Sequence, residues 1–297
     1  MANYDRPQPR LRPQSSDVLS GRRNVVKNPI RFEYVLLTVL GAVFVYPLIL
    51  LLLTAFKTTQ EIFMNPFGLP HQWSLDPFVK VWEKAHFNVY FCNSILVVAV
   101  SLLLLLFAAT LSAYALGRFR FRMNGFIFML FLAGIMVPMR LGILPLFILM
   151  KNIRCLDTYL ALIFTYAASG MPMSVFILTG FFKSVPSELS DAARVDGCNE
   201  LRILSRIMLP VIRPGLATVV IMNFVPWWND FFFPLLFIKS DSLKTIPLGM
   251  TVFFGQYLTD WGLLFAGMVI ASIPLLIMYL AMARQFISGL TSGAVKG

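Results

Sequence analysis

The chain has 297 residues, of which 58% are apolar and 13% charged, with a formal net charge of +11. A soluble protein averages roughly 45–50% apolar and about 25% charged residues, so composition excludes a soluble globule of this length. The basic residues lie between apolar stretches rather than in one patch, which ties them to orientation in a bilayer and not to nucleic acid.

Residues 1–30 are rich in Pro, Arg, Gln and Ser, cannot bury a core, and are expected to be a disordered polar tail. A helix needs about 20 mostly apolar residues to cross the hydrocarbon layer. Six segments approach or exceed that length: 34–56, 93–116, 123–139, 158–182, 214–238 and 261–283. The first is too long for a signal-peptide core and no small-residue cleavage site follows it, so it is expected to be a retained span. The third is the shortest and stops near Pro138. Arg140 and a second apolar run, Leu141–Met150, follow it, and that run is expected to lie in the interface or re-enter. The fifth carries one acid, Asp230. The predicted fold is thus an all-α membrane protein with six transmembrane helices within residues 31–283, a loop at 183–213 and a tail at 284–297.

Charge sets the direction. The N-terminal tail, the segment after span two, the 183–213 loop and the C-terminal tail together hold 17 Lys and Arg, against eight in the other three connections. Basic residues near span ends stay cytoplasmic, which predicts both termini inside. His71 and His86 then fall in the first external loop.

Several chemistries are missing from the sequence. There is no GxxxxGK[ST], no HExxH and no GxSxG. Cys92, Cys155 and Cys198 are far apart, and no metal or disulfide framework follows from them. Relays of intramembrane Asp, Glu, His or Lys mark proton-driven carriers, and Asp230 stands without one. A catalytic centre, a resident cofactor and a self-sufficient pump are all disfavoured, so uphill transport would draw its energy from another subunit.

The 183–213 loop has a readable plan. Pro186 suits a helix start, and Glu188 and Asp191 favour the positive end of that helix. Leu189, Ala192 and Ala193 recur at helical spacing, and Gly197 suits a left-handed stop or a bend. A second helix is expected with Leu201, Leu204, Ile207 and Met208 on one face. Pro210 and Pro214 then restrict the exit into span five. Such a shape fits docking into a groove on another protein, and its spacing equally fits an amphipathic helix resting on lipid.

Within it, Asp191-Ala192-Ala193, three residues, Gly197, nine residues and Ile207-Met208-Leu209-Pro210 resemble the EAA loop of bacterial ATP-binding-cassette (ABC) importer permeases. Asp191 stands where the family usually carries Glu, and Ser190 where many relatives have a second acid. Ala115–Phe121, Phe181-Phe182, Trp228-Asn229-Asp230-Phe231 and the tail Gly289–Gly297 are similar to the sugar-importer branch of the maltose-transporter type. This resemblance covers roughly residues 30–297.

The resemblance implies a type I ABC importer permease fold in the bacterial inner membrane. It implies a second related permease, two ATPase subunits that bind ATP and Mg, an extracytoplasmic solute-binding protein and surrounding lipid as partners. Glu188, Asp191, Ala192, Ala193, Asp196, Gly197, Ile207, Leu209 and Pro210 would then couple the pore to an ATPase. Gly289, Thr291, Gly293 and Lys296 would reach the ATPase dimer; a frayed terminus is the plainer reading of that tail. In span five, Phe224, Trp227, Trp228, Asn229 and Asp230 combine rings and polar groups that suit a sugar. The same residues equally suit packing at a helix end or at a membrane interface. Gln256, Tyr257 and Asp260 are candidates to meet the binding protein. The expected cargo is a di- or oligosaccharide. An acidic oligosaccharide, a phosphorylated polyol, or a self-sufficient carrier or channel remain the alternatives.

Overall fold

The computed structural model describes residues 30–84, 86–254 and 259–294. Most of the N-terminal tail, Gln256, Tyr257 and Lys296 lie outside them. Among the described residues the chain is helical, apart from turns and one isolated bridge between Phe254 and Thr259. Residues up to Leu48 form one compact unit and those from Ile49 another. The first unit contributes most of α1 (Ile30–Thr54), an apolar helix of 25 residues.

From Ile49 onward the order is α2 (Thr59–Met64), α3 (Asp76–Lys84), α4 (Phe87–Arg118), α5 (Asn124–Met136), α6 (Ile143–Asn152), α7 (Tyr159–Ser184) and α8 (Ser187–Val195). Then come α9 (Glu200–Ile203), α10 (Leu209–Val211), α11 (Arg213–Trp228), α12 (Phe232–Phe237), α13 (Ile246–Gly249) and α14 (Trp261–Ala294). By length and composition four helices can cross a membrane, within α1, α4, α7 and α14. A fifth is counted if the pair Glu200–Val211 and Arg213–Trp228, bent by 76°, is one span.

Two expected boundaries change, while the third segment ends near Pro138 and is followed by a second apolar helix, as read from sequence: α5 stops at Met136 after 13 residues, about 20 Å. Val137 is extended because Pro138 follows it, and a 3₁₀ turn at Met139–Gly142 leads into α6. The fifth segment, expected as continuous over 214–238, breaks between Trp228 and Phe232. Pro234 has no N–H for the Asp230 carbonyl and its ring crowds that turn, which favours a break at this point. Finally, α14 continues to Ala294, so Gly289, Thr291 and Gly293 belong to a helix and not to a loose tail.

The core rests on α4 against α7. Val97, Ser101, Leu105, Ala109 and Ala113 recur every four residues on α4, and each is fully buried. Leu162, Tyr166, Ser174, Leu178 and Phe182 continue the same spacing on α7, with buried Gly170 between them. Small residues in both ridges let the backbones approach, which is how helices pack where lipid removes the hydrophobic drive between them. At Gly170 a Cβ would stand 2.5 Å from Asn223 Oδ1 and 2.8 Å from Leu105 Cδ2, so α11 closes on the same point.

The opposite end of this core is tied by polar groups. Asn93 Nδ2 donates to the carbonyls of Ser242 and Lys244, and Tyr159 Oη donates to Asn93 Oδ1. Asp157 accepts from the backbone of Lys239 and Ser240 and from the Ser240 hydroxyl, which hold its carboxyl below the usual range.

Candidate coupling site

The loop after α7 is built from consecutive caps. At the end of α8, Cys198 N–H donates to Ala193 O and Gly197 N–H to Arg194 O. This double bond pattern ends a helix through a left-handed residue, and Gly197 has φ +78°. A Cβ on Gly197 would meet nothing within 4 Å, so the backbone angle alone requires glycine there. Asn199 immediately caps the next helix, its side chain accepting from Arg202 N–H at 2.9 Å. That helix runs through α9, a π-helical turn at Leu204–Met208 and α10, then bends into α11.

Ion pairs lock the two halves together. Arg194 Nη1 reaches Asp191 Oδ1 at 2.6 Å, and its Nε reaches Glu200 Oε1 at 2.8 Å across the Gly197 bend. Tyr114 Oη at the end of α4 donates to Glu200 Oε2 at 2.7 Å. Bonding to Arg194 first, and to Tyr114 second, holds the Glu200 carboxyl below its ordinary value.

Arg118, the last residue of α4, makes the principal anchor. Its Nη1 donates to Val185 O at 2.8 Å and Phe182 O at 3.3 Å, and its Nη2 to Pro186 O at 3.3 Å and Ser190 Oγ at 2.5 Å. The carbonyls at the end of a helix lack intrahelical partners, and a cation there also complements the helix dipole. Gly117 permits the approach: a Cβ would lie 2.8 Å from Phe182 Cβ.

Burial divides the expected coupling residues. Glu188, Asp191, Ala192, Asp196, Gly197 and Pro210 are exposed, Ile207 and Leu209 half-buried, and Ala193 buried. The faces therefore differ from the sequence reading. Ala193 turns inward with Ser190, while Leu189, Ala192 and Val195 (88% exposed) form the outer face of α8. In the second helix Leu204 and Met208 are buried, whereas Leu201 is 70% exposed. Arg118, Tyr114, Arg194 and Glu200 were not singled out from sequence; a basic residue closing the last turn of α4 was the available signal for Arg118.

The aromatic segment of α11 is mostly internal. Trp227 stacks on Tyr166 at 5.4 Å and 10°, and Trp228 on Phe224 at 5.6 Å and 13°. Trp228 Nε1 donates to Ala271 O on α14 at 3.0 Å. Asp230 caps α12 by accepting from the Phe232 and Phe233 N–H groups, and Tyr166 Oη donates to it at 2.7 Å. Asn229 is the exposed polar residue of the segment and lines an open cleft of about 300 Å³ with Pro247, Phe254, Met268 and Ser272. At the start of α14, Asp260 Oδ1 accepts from Thr59 Oγ1 and Leu263 N–H.

The family described as binding-protein-dependent transport system inner membrane component matches residues 107–291, which include the whole 183–213 loop. The chain belongs to that family. It is 34% identical over 266 residues to the diacetylchitobiose uptake system permease protein of Streptomyces coelicolor, covering 89% of this chain and 88% of that one. It is 35% identical over 257 residues to the arabinooligosaccharides transport system permease protein of Halalkalibacterium halodurans, covering 85% and 91%. A chain in the crystal structure of a bacterial ABC transporter involved in import of the acidic polysaccharide alginate matches with a TM-score of 0.77 at 20% identity, covering 86% and 95%. That likeness shows a shared fold. The permease is an inner-membrane transport component and not an enzyme.

Two outcomes test this geometry. Tyr166→Phe and Asp230→Ala should each lower melting stability in detergent by about 1–3 kcal/mol: the first removes one of three donors to the Asp230 carboxylate, and the second leaves the buried Tyr166 hydroxyl and the Phe232 and Phe233 N–H groups without their acceptor. A double-mutant cycle should show coupling between them; a change in apparent substrate affinity with unaltered stability would instead make Asp230 a ligand. For Glu200 the lowered carboxyl adds stability that is fully present above its ordinary pKa and is lost as pH falls through the depressed value. The melting-temperature gap between the unaltered permease and Glu200→Gln should therefore stay constant from neutral pH down to the ordinary carboxylate pKa, narrow as pH falls from there toward the depressed value, and be closed below it.

Proposed function

We propose that this permease is one half of the pore of an ABC importer for a neutral di- or oligosaccharide, working by alternating access. In this reading the chain has six spans with both termini cytoplasmic. The pieces α5–α6 and α11–α12 serve as two broken spans; irregular backbone is tolerated at membrane depth where protein encloses it, and the exposed Met136, Val137 and Leu141 between α5 and α6 would be covered by the second permease. The observation that carries the proposal is the exposed face of Leu189, Ala192 and Val195, held rigidly at the ends of α4 and α7. An apolar helical face on a fixed mount suits a groove on a partner, here an ATPase subunit that binds ATP and Mg. A second, related permease, two such ATPases and an external binding protein complete the assembly. The α14 positions Gly289, Thr291 and Gly293, with Lys296, would add a second contact to the ATPases.

A sugar cargo is supported by relatives named for diacetylchitobiose and arabinooligosaccharides. Neutral cargo is favoured because the segments 93–116, 158–182, 214–238 and 261–283 contain no Lys or Arg to pair with a carboxylate. An acidic or sulfonated cargo is the second reading. It is favoured by a relative in Agrobacterium fabrum, 30% identical over 270 residues and named for sulfoquinovosyl glycerol transport.

Purification of the tagged permease should recover a second permease and two ATPases. Its ATPase should be stimulated by one neutral oligosaccharide class together with the binding protein. Gly197→Pro forces φ near −65° and removes the N–H bonded to Arg194 O. That variant should assemble normally and lose the stimulation. A lone chain that moves solute without ATP, or full stimulation in Gly197→Pro, would contradict the proposal.

A further inference from the structure

Beside the coupling loop lies a cleft of about 590 Å³, bounded by the end of α4, the start of α5, the end of α7 and one side of α8. Its lining is unusually cationic: Arg118, Arg120, Lys183 and Arg194 face a single acid, Asp191. Arg194 is neutralised by Asp191 and Glu200. The other three have no carboxylate partner among the described residues. Arg118 is held by three carbonyls and one hydroxyl, all neutral. Lys183 Nζ sits over the Phe128 ring at 5.1 Å, and Arg120 is exposed. The one acid of the lining is already paired with Arg194, so an anion bound in the cleft would offset the positive charge left on the other three.

The position of the cleft selects the kind of anion. Two span-length helices, α4 and α7, end at it and the apolar α5 begins there, so in a six-span arrangement it stands at the depth of lipid headgroups, an inference that rests on the topology proposed above. Phe119 and Phe121 are exposed on its rim, and below it α5 presents Phe126, Met129 and Leu130 outward. A phosphate group fits the cationic floor, and acyl chains fit the apolar wall beneath. Basic pockets between membrane helices on the cytoplasmic side are known to take such headgroups. We propose that this cleft binds the phosphate of an anionic phospholipid and thereby ties the coupling loop to the membrane surface. Free phosphate shares the headgroup chemistry but has no use for the apolar wall.

The test uses the whole purified transporter in phosphatidylcholine nanodiscs with and without phosphatidylglycerol, counting retained lipid by native mass spectrometry. Phosphatidylglycerol should be retained in preference to phosphatidylcholine. Arg120→Gln with Lys183→Gln should weaken that retention about thirtyfold, each charge near the surface being worth about fivefold. Neither residue anchors the loop, and Lys183→Gln alone should show the single fivefold step should the double variant assemble poorly. Equal retention of both lipids, or unaltered retention in the variants, would overturn the proposal. Displacement of phosphatidylglycerol by an equal concentration of glycerol 1-phosphate would support a phosphate site while overturning its lipid source. Lipid retention is read without any transported solute, so this result stands apart from the identity of the cargo.

Discussion

The guanidinium of Arg118 ties the end of α4 to the end of α7 and to α8. One side chain closes the carbonyls of Phe182, Val185 and Pro186 and grips Ser190 on the next helix. A planar fork with five donors can serve four acceptors in this way, whereas an ammonium offers three donors from a point. The arrangement depends in turn on Gly117, which lets α4 come within touching distance of Phe182. Sequence, packing and placement of the loop thus meet in two adjacent residues, one small and one cationic.

The loop itself is stiff by construction. A left-handed glycine ends α8, and Asn199, two residues later, starts the next helix. Arg194 and Glu200 bridge the bend, and Tyr114 ties that pair back to α4. The second half turns by 76° into α11, which carries the stacked tryptophans and the Asp230 cap of α12. Contacts thus run without interruption from α8 through the bent helix to the segment around Asn229. Transmission through such a path needs no special wiring, only elements too well packed to deform independently.

Much of this was legible in the sequence, for identifiable reasons. Apolar run length predicts α1, α4, α7 and α14, because crossing a bilayer imposes a minimum length. Gly197 was readable as a stop because few residues tolerate positive φ. The outer face of the loop was misassigned, since Ala192 and Ala193 look alike in sequence while only the second turns toward Arg118's side of the protein. Run length also failed over 214–238, where hydropathy alone extends a helix that breaks between Trp228 and Phe232. The partners of Asp230 were hidden, because Tyr166 lies 64 positions away and only packing brings them together.

If Arg118 fuses the loop to the helix ends, the two must move as one body during the transport cycle. Spin labels at Val195 on α8 and Met123 before α5, both exposed, would report this on a cysteine-free background. Pulsed resonance distances measured in the whole transporter should be the same without nucleotide and with bound ATP, and should broaden in Arg118→Gln. A distance that shifts with nucleotide while Arg118 is intact would show the loop moving independently and would contradict a rigid mount.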